Sequence, residues 1–145
     1  MHTIRFWRGW LVVVTIGVMV YAAGLMLMPQ TMHGLFNLLF FGDSKQVRHV
    51  GENNPEFIQL VYGVLGAVMI GWMVTLLAIM RRHFQTDPRG TWQILVVSIG
   101  VWYAVDSGFS VATGFVEHAV FNTGFLVLYA LPLLGMGRSL NSTNG

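Results

Sequence analysis

The 145-residue chain contains no cysteine, and only 10% of its residues are charged. The absence of cysteine excludes disulfide bonds, thiolate-bound metal ions and a cysteine nucleophile. An ordinary soluble domain carries about 25% charged residues. This chain falls far below that level, is 54% hydrophobic and has a mean hydropathy of +0.62. These values favour an integral membrane protein over a soluble domain.

Four apolar runs are long enough to cross a bilayer, since a helical span needs about 20 apolar residues. A fifth run, residues 30–41, is too short to cross, and we expect it to lie at the membrane interface after Pro29 ends the first span. A hydrophilic outer loop follows at 42–55. The sequence thus predicts a single all-α membrane domain over residues 1–145, an integral membrane four-helix bundle with a short interfacial helix after the first span. The spans are expected at residues 7–28, 57–80, 91–116 and 119–136.

Lysine and arginine are distributed unequally between the two ends of these spans. An excess of both residues in short loops marks the cytoplasmic side of a membrane protein. With four spans, the two termini and the turn at 86–90 share one side. That side holds six of the eight basic residues: Arg5, Arg8, Arg81, Arg82, Arg89 and Arg138. The other side holds Lys45 and Arg48, so the sequence predicts a multi-pass protein of the bacterial inner membrane with both termini in the cytoplasm.

Asp106 is the acidic residue that lies deepest within a predicted span, about 15 residues into the third. Ionisable residues inside a membrane usually face the bundle interior, pair with another group or mark a site. Helical spacing places further polar residues on the same face, and polar residues of the other spans lie at a similar depth. We therefore predict a ligand-binding site in the outer half of the bundle. Its expected residues are Asp106, Tyr103, Ser110, Thr113, Tyr62, Tyr21 and Asn122.

No lysine or arginine lies at the depth of Asp106, so no cationic partner is expected for it. Three interpretations of this residue remain open. It is a hydrogen-bonded lock between helices, a contact for a lipid or small hydrophobic ligand, or a proton carrier in transport. The polar stripe on its helix stops at Tyr103, which leaves a transport path incomplete.

Small residues form a face on each of two spans, and such faces permit close helix approach. We expect the second and third spans to pack closely through them, or the faces to serve oligomer contacts. The residues concerned are Gly63, Gly66, Ala67 and Gly71 in the second span and Gly100, Ala104, Gly108 and Ala112 in the third.

Other chemistry finds little support in the sequence. No histidine is placed mid-span, which argues against haem held by imidazole. His33, Glu117 and His118 are a conceivable zinc set, but they come from separate segments without motif spacing, and no metal site or other cofactor is predicted. Ser107 has no histidine at its depth to activate it as a nucleophile. No basic stripe interleaved with aromatic residues points to nucleic acid.

Pro29 ends the first span and is followed by the apolar run 30–41, and the second span carries Gly63 and Gly66 near its start. In this layout the first half of the chain resembles the DoxX-like group of small four-helix bacterial membrane proteins. The arginine that commonly opens the second helix in that group is absent, since residues 56–58 are Glu, Phe and Ile. The resemblance implies an accessory membrane protein and carries over no catalytic residue.

The sequence therefore favours a small non-enzymatic membrane protein that is an accessory subunit or a binder of a lipid or small hydrophobic ligand. The alternative is a small oligomeric, proton-coupled transporter that uses Asp106. Membrane lipids are the expected partners, together with a larger membrane complex or further copies of the chain.

Overall fold

The computed structural model describes residues 2–38 and 54–141. These residues contain no strand and are helical over most of their length. In chain order the helices are α1 (His2–Leu27), α2 (Pro29–Phe36), α3 (Pro55–Arg82), α4 (Pro88–Ala112) and α5 (Val116–Asn141). The expected all-α fold, with four long helices and a short helix after the first, is confirmed. Most of the predicted outer loop 42–55 and the end of the segment 30–41 lie outside the described residues.

The four long helices are each long and apolar enough to cross a membrane, and only 22% to 33% of their most apolar stretches is buried. Large apolar side chains cover their outer faces. Leu27 is 73% exposed, and Val13 and Phe109 are each 69% exposed. A soluble monomer rarely exposes apolar surface on this scale. The distribution of apolar surface is that of a membrane-spanning protein, in which lipid chains cover these faces.

The described residues divide into two compact units. The first comprises those within Met1–Ile16 and Val74–Gly145, and therefore takes the start of α1, the end of α3 and the whole of α4 and α5. The second unit comprises those within Gly17–Met73. The expectation of a single domain stays a prediction.

In the first unit, side-chain contacts bring four helix ends together. Trp7 of α1 occupies the space beside Gly135 of α5. Trp92 of α4 donates from Nε1 to the Leu133 carbonyl oxygen of α5 at 2.7 Å. Just beyond α3, the Phe84 ring lies 5.7 Å from the guanidinium of Arg8. The arginines named above for the cytoplasmic side therefore share one end of this unit, which we call the basic end.

Pro132 interrupts the hydrogen bonding of α5, because proline has no backbone N–H to donate to the carbonyl four residues earlier. That carbonyl belongs to Leu128. The Trp10 indole of α1 donates to it instead, with an Nε1 to oxygen distance of 3.1 Å. Side chains of neighbouring helices commonly satisfy backbone groups freed by proline in membrane helices. Trp10 and Pro132 thus join α1 to α5 in the first unit.

In the second unit, α1 and α3 approach closely at Ala22 and Gly66. Both residues are buried. A methyl group added at Gly66 would lie 2.5 Å from the Ala22 carbonyl oxygen and 3.3 Å from the backbone nitrogen of Met26. Gly66 therefore permits a close crossing with α1, as small residues do in membrane helices.

The small residues of α4 contribute no such packing. Gly100, Ala104, Gly108 and Ala112 are all exposed. An added methyl group at Gly100 or Gly108 would meet no atom of the described residues within 4 Å. This face of α4 belongs to the first unit, whereas its expected partners on α3 belong to the second. The expected close packing of the two spans through small residues therefore stays a prediction.

Candidate functional site

The helices α4 and α5 form an antiparallel hairpin, as their short connection predicts. The turn between them depends on Gly114, which has a φ of +88°, a conformation that only glycine adopts at little cost. The Phe115 N–H donates to the Ser110 carbonyl at 2.8 Å, and the Gly114 N–H to the Val111 carbonyl at 3.1 Å. This pair of bonds is a Schellman motif. It ends α4 at Ala112, four residues before the end expected from hydropathy.

The early end of α4 changes the depth of Asp106. The residue lies six positions before Ala112, about 9 Å along the axis from the end of the helix. The predicted span ending at residue 116 had placed it about 15 Å from that end. Asp106 therefore sits closer to the end of the hairpin than the sequence suggested. It lies about 27 Å along α4 from Pro88 at the basic end.

Three pairs of polar side chains join α4 to α5 around Asp106. Because the helices are antiparallel, the pairs follow one another along the hairpin. They are Tyr103 Oη with Thr123 Oγ1 at 2.9 Å, Asn122 Nδ2 donating to Ser107 Oγ at 3.5 Å, and Ser110 Oγ with His118 Nδ1 at 2.8 Å. We call these six residues and Asp106 the hairpin cluster.

Within the hairpin cluster, His118 is the group that faces the carboxylate. Its Nδ1 lies 3.8 Å from Asp106 Oδ1, a separation at which a protonated imidazole forms an ion pair. No lysine or arginine was expected near Asp106, and the structure adds His118, which is a cationic partner only when its ring is protonated. The predicted third span ends at residue 116 and the fourth begins at 119, so His118 falls between them. In the structure α5 begins at Val116 and carries His118 in its first turn.

Ser110 connects the backbone of Asp106 to the ring of His118. Ser110 has a single hydroxyl hydrogen, which it donates to the backbone carbonyl of Asp106 at 2.8 Å. Its oxygen also lies 2.8 Å from His118 Nδ1, where it accepts a hydrogen bond when the imidazole carries its hydrogen on Nδ1. Asp106 Oδ1 faces the same ring nitrogen, and the three side chains form one connected group.

The hairpin cluster has a buried side and an exposed side. Ser107 is 7% exposed and Asn122 is 3% exposed, so their contact lies inside the unit. The side chains of Asp106 and His118 are 37% and 35% exposed. Thr123 is also exposed. The charged part of the hairpin cluster therefore opens to the surface of the hairpin.

The structure brings three of the other predicted site residues together with Asp106. Tyr103, Ser110 and Asn122 join Asp106 in the hairpin cluster. Thr113 instead ends α4, where its hydroxyl donates to the Phe109 and Ser110 carbonyls at 2.8 and 3.2 Å.

Tyr21 and Tyr62 belong to the second unit, where they surround one phenylalanine. The Tyr62 ring stacks on Phe36 with centroids 5.7 Å apart, and Tyr21 meets Phe36 edge-on at 6.4 Å. His33 Nδ1 lies 3.4 Å from the Tyr62 hydroxyl. These contacts hold α2 against α1 and α3, which is a packing role.

Three members of the hairpin cluster fall outside the predicted set: His118, Ser107 and Thr123. The missing signal was the start of α5. With Gly114 taken as a helix terminator, residues 118 and 122 fall one turn apart on the same face of α5. Hydropathy alone does not locate this boundary, because Phe115 and Val116 are as apolar as the helices on either side.

Among residues 2–38 and 54–141, no three histidine, aspartate or glutamate side chains come together in a way that could hold a metal ion. Comparison of the chain with known protein families, with characterised proteins and with solved structures gave no match. The resemblance to the DoxX-like group stays a prediction, and function is argued from the residues of this chain.

Proposed function

We propose that this chain is a small non-enzymatic membrane protein that binds a lipid or another small hydrophobic ligand at the hairpin cluster. The proposal depends chiefly on one observation. Asp106 and His118 are more than one-third exposed on a hairpin whose neighbouring outward side chains, Val105 and Phe109, are apolar. Hydrocarbon cannot satisfy an exposed carboxylate. A ligand with a polar head and an apolar body complements both kinds of surface.

The chemistry of the hairpin cluster indicates what kind of head group suits it. Asp106 accepts hydrogen bonds, and about one turn towards the basic end the Tyr103 and Thr123 oxygens are further acceptors. Thr123 donates its hydroxyl hydrogen to the Ala119 carbonyl at 2.8 Å, so the Tyr103 hydroxyl donates to Thr123 at 2.9 Å. A head group with hydroxyl or amine hydrogens would donate to the carboxylate and bond to the hydroxyl pair. The apolar body of such a ligand would lie along Val105 and its apolar neighbours.

A purely structural role for Asp106 is less well supported than ligand binding. A lock between helices requires buried and mutually satisfied groups, and Ser107 with Asn122 has that character. The carboxylate of Asp106 is not needed for this buried contact. We therefore assign the locking role to Ser107 and Asn122, and the binding role to Asp106 with His118.

The test is retention of a monoacylglycerol by the purified full-length protein, measured by native mass spectrometry. Loss of a hydrogen bond to a charged group costs about 1.5 to 3 kcal/mol, so Asp106→Asn should weaken retention roughly 10-fold or more. Glu117→Gln is the matched control, since Glu117 is an exposed acid next to His118 and outside the hairpin cluster. It should retain the ligand as the parent protein does.

Two results would contradict the proposal. One is a parent protein that retains no monoacylglycerol or other apolar molecule. The other is an Asp106→Asn variant that retains the ligand normally and only unfolds at a lower temperature, which would return Asp106 to the structural role.

Proton-coupled transport by an oligomer is the second candidate, and the contact between Asp106 and His118 favours it. Aspartate and histidine side chains inside membranes commonly form the proton relays of pumps and transporters. Towards the basic end, however, the buried residues of the same unit include Leu95, Ile99 and Met136, which carry no proton. The transporter interpretation predicts that Asp106→Asn abolishes proton uptake coupled to substrate in proteoliposomes, whereas ligand binding without transport predicts no coupled proton flux in the parent protein.

We also propose that the chain resides in a bacterial inner membrane with both termini in the cytoplasm. The clustering of six arginines at the basic end supports this, because such residues are retained on the cytoplasmic side. The hairpin cluster would then face the outer leaflet. In this setting the chain acts as an accessory subunit of a larger membrane complex or assembles with further copies of itself. Protease or maleimide labelling of a single cysteine introduced after Asn141 tests the orientation.

A further inference from the structure

An open cleft of about 600 Å³ lies at the basic end of the first unit. Its lining residues are Ile4, Arg5, Arg8, Phe84 and Gln85. Arg5 and Arg8 are one helical turn apart on α1, at the spacing that brings side chains together on one face. The cleft is thus formed by the start of α1 and the residues that follow α3. It is separated from the hairpin cluster by most of the length of α4.

The charge around this cleft is strongly positive. Among the described residues, the basic end carries the six arginines and one acid, Asp87. Asp87 is engaged in capping α4, since its Oδ1 accepts the Gly90 N–H at 2.8 Å. No acidic residue lines the cleft, so the positive charge there is not offset from within the cleft.

One of the two arginines is held in place by an aromatic ring. The Arg8 guanidinium lies 5.7 Å from the centre of the Phe84 ring, within the range of a cation–π contact. Phe84 is only 6% exposed. A fixed guanidinium keeps its N–H groups available for an anion in one orientation, whereas a solvated side chain must be ordered when it binds.

We propose that this cleft binds the phosphate group of an anionic phospholipid. Arg5 and Arg8 contact the phosphate oxygens through their guanidinium N–H groups, a pairing for which the planar fork of arginine is well suited. The Gln85 side-chain amide supplies a further donor. Ile4 and Phe84 provide apolar surface for the glycerol and the first methylenes of the chains. A lipid source is favoured over free phosphate because the cleft lies where apolar helices end, at the depth of lipid head groups.

The test is native mass spectrometry of the full-length protein released from mixed bilayers of phosphatidylglycerol and phosphatidylcholine. The parent protein should retain phosphatidylglycerol in preference. Each arginine near the surface contributes to attraction for anionic lipid, and loss of two should weaken retention about 10-fold or more. Arg5→Gln/Arg8→Gln is therefore expected to lose the preference. The matched control, Arg81→Gln/Arg82→Gln, removes the same charge from exposed residues outside the cleft and should keep most of the preference.

If both double variants lose phosphatidylglycerol equally, general charge attraction and not the cleft explains the retention, and the proposal is overturned. It is also overturned if inorganic phosphate alone raises the thermal stability of the parent protein while phosphatidylglycerol does not, because the ligand would then be free phosphate.

Arg5→Lys/Arg8→Lys keeps both charges and is the variant to use where the glutamine variant does not fold. Retention should fall about threefold through the loss of bidentate contacts, and unchanged retention would refute the assigned geometry. Asp106→Asn should leave phosphatidylglycerol retention unaltered, which separates this site from the hairpin cluster.

Discussion

The contact of Trp10 with the carbonyl freed by Pro132 makes a quantitative prediction. The Leu128 carbonyl accepts the Trp10 Nε1–H at 3.1 Å, and it has no donor within α5 because residue 132 is proline. Trp10→Phe keeps an aromatic ring but leaves this carbonyl without its donor. Hydrogen bonds between membrane helices average about 0.6 kcal/mol, and an unsatisfied buried group costs about 1 to 3 kcal/mol. Since Trp10 is 36% exposed, we expect a loss of about 1 kcal/mol in the free energy of unfolding.

The loss of unfolding free energy caused by Trp10→Phe should depend on which residue occupies position 132. In a Pro132→Ala background the alanine N–H can donate to the Leu128 carbonyl, so Trp10→Phe should then cost less. The difference between the two backgrounds, a coupling free energy, is expected to be about 0.5 to 1 kcal/mol. Trp92→Phe is the matched control. Its acceptor, the Leu133 carbonyl, is not the one freed by Pro132, so its cost should be the same in both backgrounds.

The experiment needs five variants: Pro132→Ala, and Trp10→Phe and Trp92→Phe each with proline and with alanine at position 132. Their unfolding and that of the parent protein by sodium dodecyl sulfate in mixed micelles, followed by far-ultraviolet circular dichroism, measure these free energies without using tryptophan emission. The reasoning is refuted if Trp10→Phe costs the same with proline and with alanine at position 132. It is refuted equally if Trp92→Phe shows the larger coupling to Pro132.

Three further predictions concern positions where the backbone leaves little freedom. Gly66→Ala should destabilise the protein by about 1 to 3 kcal/mol, because the methyl group meets the Ala22 carbonyl, whereas Gly71→Ala, with open space around it, should be neutral or slightly stabilising in the same unfolding assay. Gly114→Val should lower the thermal unfolding temperature through its positive φ and Gly114→Asn much less; equal effects would show that the turn conformation is not the cause. Asp87→Ala should cost about 1 kcal/mol by removing the cap of α4, and Asp87→Asn, which can still accept the Gly90 N–H, should cost clearly less.

The hairpin cluster shows which residues of a site local sequence patterns can identify. The spacing of Tyr103, Asp106 and Ser110 identified one polar face of α4, because helical periodicity is a local property. Of the partner residues on α5, only Asn122 was among the predicted site residues. His118 comes into reach only because Gly114 ends α4 early, and a shift of a helix end by four residues turns a different face of the next helix towards the first.

The small-residue faces illustrate the opposite outcome. Glycine and alanine at intervals of four are compatible with close packing, but the pattern does not name a partner. The structure uses Gly66 against Ala22 and leaves Gly100 and Gly108 exposed. Tyr21 and Tyr62 were grouped with Asp106 by depth alone, and because they belong to the second unit this part of the predicted site stays a prediction.

The sequence by itself determined that this chain suits a membrane environment and that its fold is all-helical. A low content of charge and four long apolar runs require that backbone groups be satisfied within each segment, and helices do this with local hydrogen bonds alone. Which face of each helix meets which other helix was decided only by the tertiary structure. Such contacts depend on where a turn such as Gly114 stops a helix and on whether the groups it brings together fit, as His118 does beside Asp106. They join residues far apart in the chain, and no local pattern encodes them.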